Sequence, residues 1–532
     1  MALVRPPFRF ALCALLGLGC DRQREAAPRA ANLVLIVVDT LRRDHVSAYH
    51  QGADPAPVAT PHIDALAQRG VLFENAYTHA PITGPSHASM FTSLLPRDHG
   101  VHNNGQRLAE RFGTLAERLR RSKRHTAAFV SLQALAGKFG YAQGFDHYRD
   151  DFEHFWWKSA GELNEALLPW ISEHARSPLF LWVHYSDPHE PYAPPAWYQR
   201  IDLKLQGSAL PGFSADGRPV RPKLALASGR NKLEFVHRGD RAVRIRFWHP
   251  PPQTSFSFGG AWTASSNQAK LLRPGARATL VVTNHSTKPR DVTVKFRPEI
   301  VLNAPDKRRG YAEEVGYVDA EIGRLFKALK RNDLWANTLI VLTADHGEEL
   351  GERRGRFGHV HNLREILVRV PLIMAFPGRL PEGVRVEDPV GHIALVPTVL
   401  DQLGLPQPDK VRGRKLFPTG EIGMRPVVAQ TFRPQAHSTR HAVRLGRYKY
   451  VRNKTKNGEA LFDLALDPDA VTNLLKLEGS RPGGWPRIPL RRARAVLEGI
   501  LASDARFPEA ASERAEMSEE DIEALRALGY TL

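Results

Sequence analysis

The chain has 532 residues, 42% of them hydrophobic, with 74 Lys+Arg against 56 Asp+Glu and a net charge of +18 at pH 7. That much apolar material builds a large core and excludes an intrinsically disordered chain, and the length predicts about two to four domains. The only cysteines are Cys13 and Cys20, which excludes a disulfide framework, a cysteine-rich zinc site and a thiol nucleophile.

At the N-terminus, Arg5 and Arg9 precede the apolar run 10–18 and Gly19-Cys20. This is the pattern of a secretion signal, too short for a permanent membrane span. Leu16-Gly17-Leu18-Gly19-Cys20 looks like a bacterial lipobox, with Gly17 where a larger apolar residue is usual. Residues 1–20 are therefore expected to be a signal segment. Lipidation at Cys20 would make the exported protein a periplasmic or membrane-anchored lipoprotein. The positive charge points to anionic surfaces or acidic substrates, and no nucleic-acid partner is expected.

From 32 to 38 a near-continuous Leu/Val/Ile run predicts a strand buried on both faces, as in a parallel sheet covered by helices, and it ends at Asp39. A short helix over 61–69 is stopped by Gly70. Thr83-Gly84-Pro85-Ser86-His87 reads as an exposed hydroxyl on a Gly-Pro turn, with Ser86 as the N-cap of a helix over 88–94. Unpaired N–H groups and the positive end of a helix dipole make such a place suitable for a tetrahedral anion. Helix-like 114–121 and strand-like 126–132 follow. A helical pattern over 162–175 leads to a strand over 179–183, which delivers His184, Asp187 and His189 at its carboxyl end, where open α/β sheets bind ligands.

After about residue 211 apolar and polar residues alternate, as in Leu233-x-Phe235 and Val243-x-Ile245-x-Phe247, which predicts an inserted antiparallel β-rich module over 220–300. Residues 201–300 carry 17 Lys+Arg against 6 Asp+Glu. Helical period returns over 311–330. The apolar run 339–343 then reaches Asp345 and His346, and a strand over 370–376 and a helix over 392–403 follow. Beyond 418 the pattern fits a small α+β subdomain over 419–532, with a helix over 491–503. Ser518-Glu-Glu-Asp521 caps a last helix expected to end at Gly529.

Asp39, Asp345 and His346 offer two hard oxygens and an imidazole, and Thr83 can add a third oxygen. Such a set suits Ca, Mg, Mn or Zn, and donor type does not choose among them.

Taken in order, Val-Asp39-Thr-Leu-Arg-Arg-Asp, Thr83-x-Pro-Ser, His99-Gly-Val-x-x-Asn104, Asp187-Pro-His189-x-Pro-Tyr192, Thr-Ala-Asp345-His346-Gly-Glu, Gly358-His359 and Leu461-Phe-Asp-Leu resemble the sulfatase family of the alkaline phosphatase superfamily. The resemblance implies an alkaline phosphatase-like α/β/α sandwich, with a discontinuous catalytic domain over 30–215 and 301–418. It also implies a metal site of Asp39, Thr83, Asp345 and His346. One divalent cation is expected, with two as the alternative; the single-metal sulfatases commonly have a second Asp where this chain has Thr40.

Family sulfatases use a formylglycine made from Cys or Ser, and here that position is Thr83. The Cβ of threonine already bears a methyl, so oxidation would give a ketone and no aldehyde hydrate. Thr83 is therefore expected to attack directly as the nucleophile. His87 stands where the family has Arg and is expected as a neutral partner of Thr83 or of the substrate oxyanion. His189 matches the family's general acid, and Asn104 matches a residue that holds the transferred group. His359 lies near the usual place of a substrate-binding Lys, where it would bind the oxyanion or a second metal. The expected substrate is an anionic sulfate ester. A phosphodiester or phosphonate hydrolase, or a phosphoethanolamine-type transferase, is the alternative. A catalytically impaired, glycan-binding surface lipoprotein is the option of another class.

Overall fold

The apolar run after Ala31 forms strand β1 (Asn32–Val38), all of it buried. This computed structural model describes residues 30–532 apart from 51–55, 153–156, 265–268, 419–424, 433–437, 478–486, 503–505 and 528–532. The expected signal segment, Cys20 and Gly529 lie outside the described residues. After β1 come α1 (Pro61–Gln68), β2 (Val71–Phe73), α2 (Thr83–Thr92), β3 (His125–Val130), β4 (His147–Arg149), α3 (Ala160–His174) and β5 (Leu179–Tyr185). The core resumes with α4 (Ala304–Arg331), β6 (Thr338–Ala344), β7 (Leu372–Ala375), β8 (Val384–Val386) and α5 (Leu395–Gln402).

The main sheet has the order β8-β2-β7-β6-β1-β5-β3-β4 among the described residues. β1 pairs in parallel with both β6 and β5, and β7 runs antiparallel to β6 and β2. The sheet is therefore mixed, with its parallel part at the centre. Strands β1, β5 and β6 are buried along their whole length, which requires cover on both faces and explains their unbroken apolar sequences. Helices α1 and α3 pack on α4, while α2 packs on α5. The result is an α/β sandwich of the expected class.

Between β5 and α4 the chain builds an all-β unit from strands spanning Arg200–Leu205 to Phe296–Ile300. Its own apolar cluster includes Leu233, Phe235, Ile245, Leu280 and Phe296. In Val243–Phe247 the apolar residues are buried while Arg244 and Arg246 turn outward; alternation thus sends basic side chains to the surface. The sheet begins earlier than 220, because Arg200–Leu205 pairs with Gly229–His237 and with Ser208–Ser214. The last of these is a largely exposed edge strand, so its sequence lacks clear alternation.

Four antiparallel strands from Val427–Thr431 to Gly458–Asp463 follow the core. The helix Arg487–Leu501 packs on them through Ala493 and Leu497. Ser518 and Asp521 make the expected reciprocal cap.

Candidate active site

Strand register assembles the acids. Val38 lies level with Ala344 on β6 and with Tyr185 on β5, so Asp39 and Asp345 leave adjacent parallel strands at the same height. His184, inside β5, stands opposite Val37. Its Nε2 is 3.5 Å from Asp39 Oδ2. His346 Nε2 is 3.7 Å from Asp39 Oδ1 and 3.4 Å from Asp345 Oδ2. All four residues are fully buried.

Helix α2 brings Thr83 to this group, with Thr83 Oγ1 3.5 Å from His346 Nε2. Two expectations need correction here. The helix starts at Thr83, with Ile82 at the N-cap position, and Ser86 is not the cap. Pro85 fits because the first helical residues have no intrahelical acceptor for an N–H in any case. Nor is the hydroxyl exposed: Thr83 has 0% accessibility, because the helix N-terminus is driven into the strand ends. Ser86 Oγ donates to the Asp345 carbonyl at 2.7 Å, which ties α2 to the end of β6. The Gly84 amide donates to Asn104 Oδ1 at 2.7 Å, and a Cβ on Gly84 would lie only 2.9 Å from that oxygen.

The imidazoles are oriented by their second nitrogens. His346 Nδ1 donates to the Gly347 carbonyl at 3.1 Å, and His184 Nδ1 is 3.4 Å from Ser131 Oγ. Each therefore turns Nε2 toward the carboxylates, as metal-ligating histidines do. His87 Nδ1 donates to the Thr83 main-chain carbonyl at 2.8 Å. Its ring is fully buried, and burial followed by the nearby His184 holds it well below the usual histidine range, hence neutral. His359 Nδ1 lies 3.2 Å from both oxygens of Glu348. The His359 ring lies tilted 4.3 Å from His346 and edge-to-face 5.2 Å from His189, between centroids.

Burial pushes both acids up, but the facing His184 imidazole and the charges of His189 and His346 hold Asp39 below the usual carboxylate range. Asp345, buried and beside the Asp39 charge, is pushed above it. The two carboxyls are thus driven in opposite directions where they meet. Both Asp39 oxygens and Asp345 Oδ2 are buried without a hydrogen-bond partner among the described residues, an arrangement that is costly unless a cation completes it. Asp39, Asp345 and His346 present ligand atoms within 4.8 Å of one another, as do His87, His184 and Asp345. The donor set fits a divalent cation.

Asp39, Thr83, His87, His184, Asp345 and His346 therefore converge, with His189 and His359 beside them. His184 and Glu348 carried no assigned role in the sequence pattern. The available signals were a lone imidazole in the buried run Leu-Phe-Leu-Trp-Val-His-Tyr and an acid two residues beyond His346. Asp187 turns away from the acids: its Oδ2 accepts from the Ala160 amide at 2.8 Å, at the start of α3.

Residues 31–405 match the family model described as Sulfatase, and residues 361–481 match N-sulphoglucosamine sulphohydrolase, C-terminal. Arylsulfatase K of Homo sapiens is 23% identical over 508 residues, covering 87% of this chain and 82% of that protein. Choline-sulfatase of Rhizobium meliloti is 27% identical over 468 residues, covering 83% and 82%. Among solved structures, one in complex with its substrate D-glucosamine-2-N,6-O-disulfate aligns with a TM-score of 0.60 at 15% identity, covering 89% of this chain and 97% of that one. The phosphonate monoester hydrolase of Agrobacterium radiobacter aligns with a TM-score of 0.58 at 20% identity, covering 92% and 98%. At these identities the structural likeness speaks for the fold.

Proposed function

This chain belongs to the sulfatase family of the alkaline phosphatase superfamily, and on that premise we propose that it is a divalent-cation-dependent hydrolase of sulfate esters with Thr83 as nucleophile. The observation that carries this reading is the placement of Thr83 Oγ1 3.5 Å from His346 Nε2, beside two buried carboxylates of which both Asp39 oxygens and Asp345 Oδ2 have no hydrogen-bond partner among the described residues. Asp39, Asp345, His346 and Thr83 would hold the cation. When bound, it supplies charge neutralisation and Lewis-acid polarisation at the ester.

The Thr83 hydroxyl would lose its proton to solvent as the cation's charge enters the site; its oxygen then forms a bond to sulfur as the bond from sulfur to the alcohol oxygen breaks, and His189 gives a proton to the departing oxygen. Water then hydrolyses the threonine sulfate ester and releases sulfate. Asn104 Nδ2, buried without a hydrogen-bond partner among the described residues, is available to the transferred group's oxygens. His359, oriented by Glu348, faces the same group from the side of His346.

A second reading, hydrolysis of phosphate diesters or phosphonate monoesters, is favoured by the additional donor group of His87, His184 and Asp345. It would give the site a two-cation arrangement suited to in-line phosphoryl displacement. The test is turnover of an aryl sulfate, a sugar sulfate, a phosphate diester and a phosphonate monoester by the purified chain, before and after chelation and dialysis. The expected result is highest kcat/KM on a sulfate ester, lost on stripping and restored by a divalent cation. Full activity after stripping would refute cation dependence, and preference for a phosphorus ester would favour the second reading. No turnover on any of them would favour the glycan-binding lipoprotein.

A further inference from the structure

Next to the site, Glu349–Leu350 and Phe357–Gly358 pair as a short antiparallel hairpin. The residues between these strands include Arg353, Arg354 and Arg356, and with Arg364 and Arg440 they line a cavity of about 540 Å³. Five arginines thus face one acid, Glu349, and Arg364 already pairs with that acid at 3.0 Å. Arg440 is held in place by a hydrogen bond to the His361 carbonyl. Arg353, Arg354 and Arg356 are exposed and form no ion pair with an acid among the described residues.

The cavity is linked to the reaction centre along the chain, because its lining residue Glu349 follows directly on Glu348 and its lining residue His361 stands two residues past His359. His361 Nε2 lies 3.6 Å and Glu348 Oε1 4.0 Å from the point where a Cβ on Gly358 would sit. Glu348 is the residue that orients His359, so the cavity wall and the catalytic imidazoles share one hairpin. Planar guanidinium groups match sulfate and carboxylate oxygens two at a time. A volume in this range holds a ligand the size of a few sugar units or less. Apart from His361 the lining has no aromatic ring, so it lacks the stacking platform on which single-stranded nucleic acids rely.

We infer that this cavity is a subsite for a second anionic group, and that the preferred substrate is an oligosaccharide bearing more than one sulfate or carboxylate. One sulfate sits at Thr83, and another anionic substituent is gripped by Arg353, Arg354 and Arg356. The inference rests on the hydrolase reading for its catalytic half only, because binding at the arginines requires no turnover.

The test is a variant with Arg353→Ala, Arg354→Ala and Arg356→Ala together, at three exposed positions outside the catalytic machinery. KM is measured on a multiply sulfated oligosaccharide and on a singly sulfated one of the same length. The expected result is a rise of about tenfold or more on the first alone, with kcat unchanged, and a weaker dependence of KM on salt than in the wild type. No change, or an equal change on both substrates, overturns the subsite. A second arm measures binding of a fluorescent multiply sulfated oligosaccharide to Thr83→Ala, with and without the arginine changes. Loss of binding on removal of the arginines supports the subsite even if no ester is hydrolysed. Unchanged binding beside normal sulfatase turnover overturns it and leaves the proposed function standing.

Discussion

The main-chain amide of Thr40 donates to Asp345 Oδ1 at 3.2 Å, joining the ends of two neighbouring parallel strands. Thr40 makes this contact with φ at 55°, a left-handed conformation that is unusual for a β-branched residue and costs on the order of 1–3 kcal/mol. It is held there by Tyr311, whose hydroxyl donates to the Thr40 carbonyl at 2.7 Å and accepts from the Arg42 amide at 2.9 Å. The His346 amide donates to the same Asp345 oxygen at 2.8 Å. With Oδ1 thus engaged, Oδ2 is turned toward His346 Nε2.

Asp345→Asn keeps the acceptor for Thr40 and removes the ionisable carboxyl that faces the Asp39 charge. In chelator its melting temperature is expected to equal or exceed that of the wild type. Added divalent cation should raise the wild-type value, by about 2.7 kcal/mol of stability at 100 times Kd, and raise the variant much less. Activity should fall by at least about 10²-fold. Thermal unfolding with and without chelator, together with metal analysis, checks this; an equal cation-induced gain in both proteins contradicts it.

Thr83→Ala is expected to lose most activity, whereas Thr83→Ser retains a substantial part through the same oxygen. Thr83→Cys alone should be nearly inactive. Thr83→Cys with His87→Arg should regain sulfatase activity only in a host that makes formylglycine. Mass spectrometry of quenched wild-type reactions should find a sulfated or phosphorylated Thr83 peptide. Wild-type activity in Thr83→Ala would transfer the attack to water.

His189→Ala should slow esters with poor leaving groups by roughly 10²- to 10⁴-fold and those with good leaving groups far less, because a general acid matters in proportion to charge on the departing oxygen. The measurement is kcat/KM across a series of aryl sulfates. An equal loss throughout the series would make His189 a positioning residue.

Asp187 supplies a pH signature of stability. Burial pushes its carboxyl up to about 7, although the Ala160 amide opposes this. The folded state therefore binds the proton more tightly than the unfolded chain, whose carboxyl titrates near about 3.9. The resulting stability is fully present below about pH 4 and is lost as pH rises through about 7. Asp187→Asn should accordingly gain melting temperature relative to the wild type from pH 4 to pH 8, and a constant difference across that range would exclude the titration.

Much of the chemistry was legible from residue types alone. Two unbroken apolar runs ending in Asp39 and in Asp345-His346 mark strands covered on both faces, since only such strands can leave out polar residues. The methyl on Thr83 Cβ excludes formylglycine without any reference to the fold. The alternation in Val243–Phe247 similarly announced a β unit with its basic residues outward.

Tertiary packing decided what local pattern does not encode. Whether Asp39 stands beside Asp345 depends on the register of two strands separated by some three hundred residues, and a shift of one position would send one carboxylate to the other face. His184 entered the site because β5 is the other neighbour of β1, a pairing invisible in the sequence of either strand. Ser86 looked like a cap because caps are read from local spacing. It instead hydrogen-bonds the Asp345 carbonyl, since α2 is pressed end-on against the sheet and its N-terminus is buried. Periodicity reports which face of a segment seeks the core, but the partner it meets there is set by the packing of the whole chain.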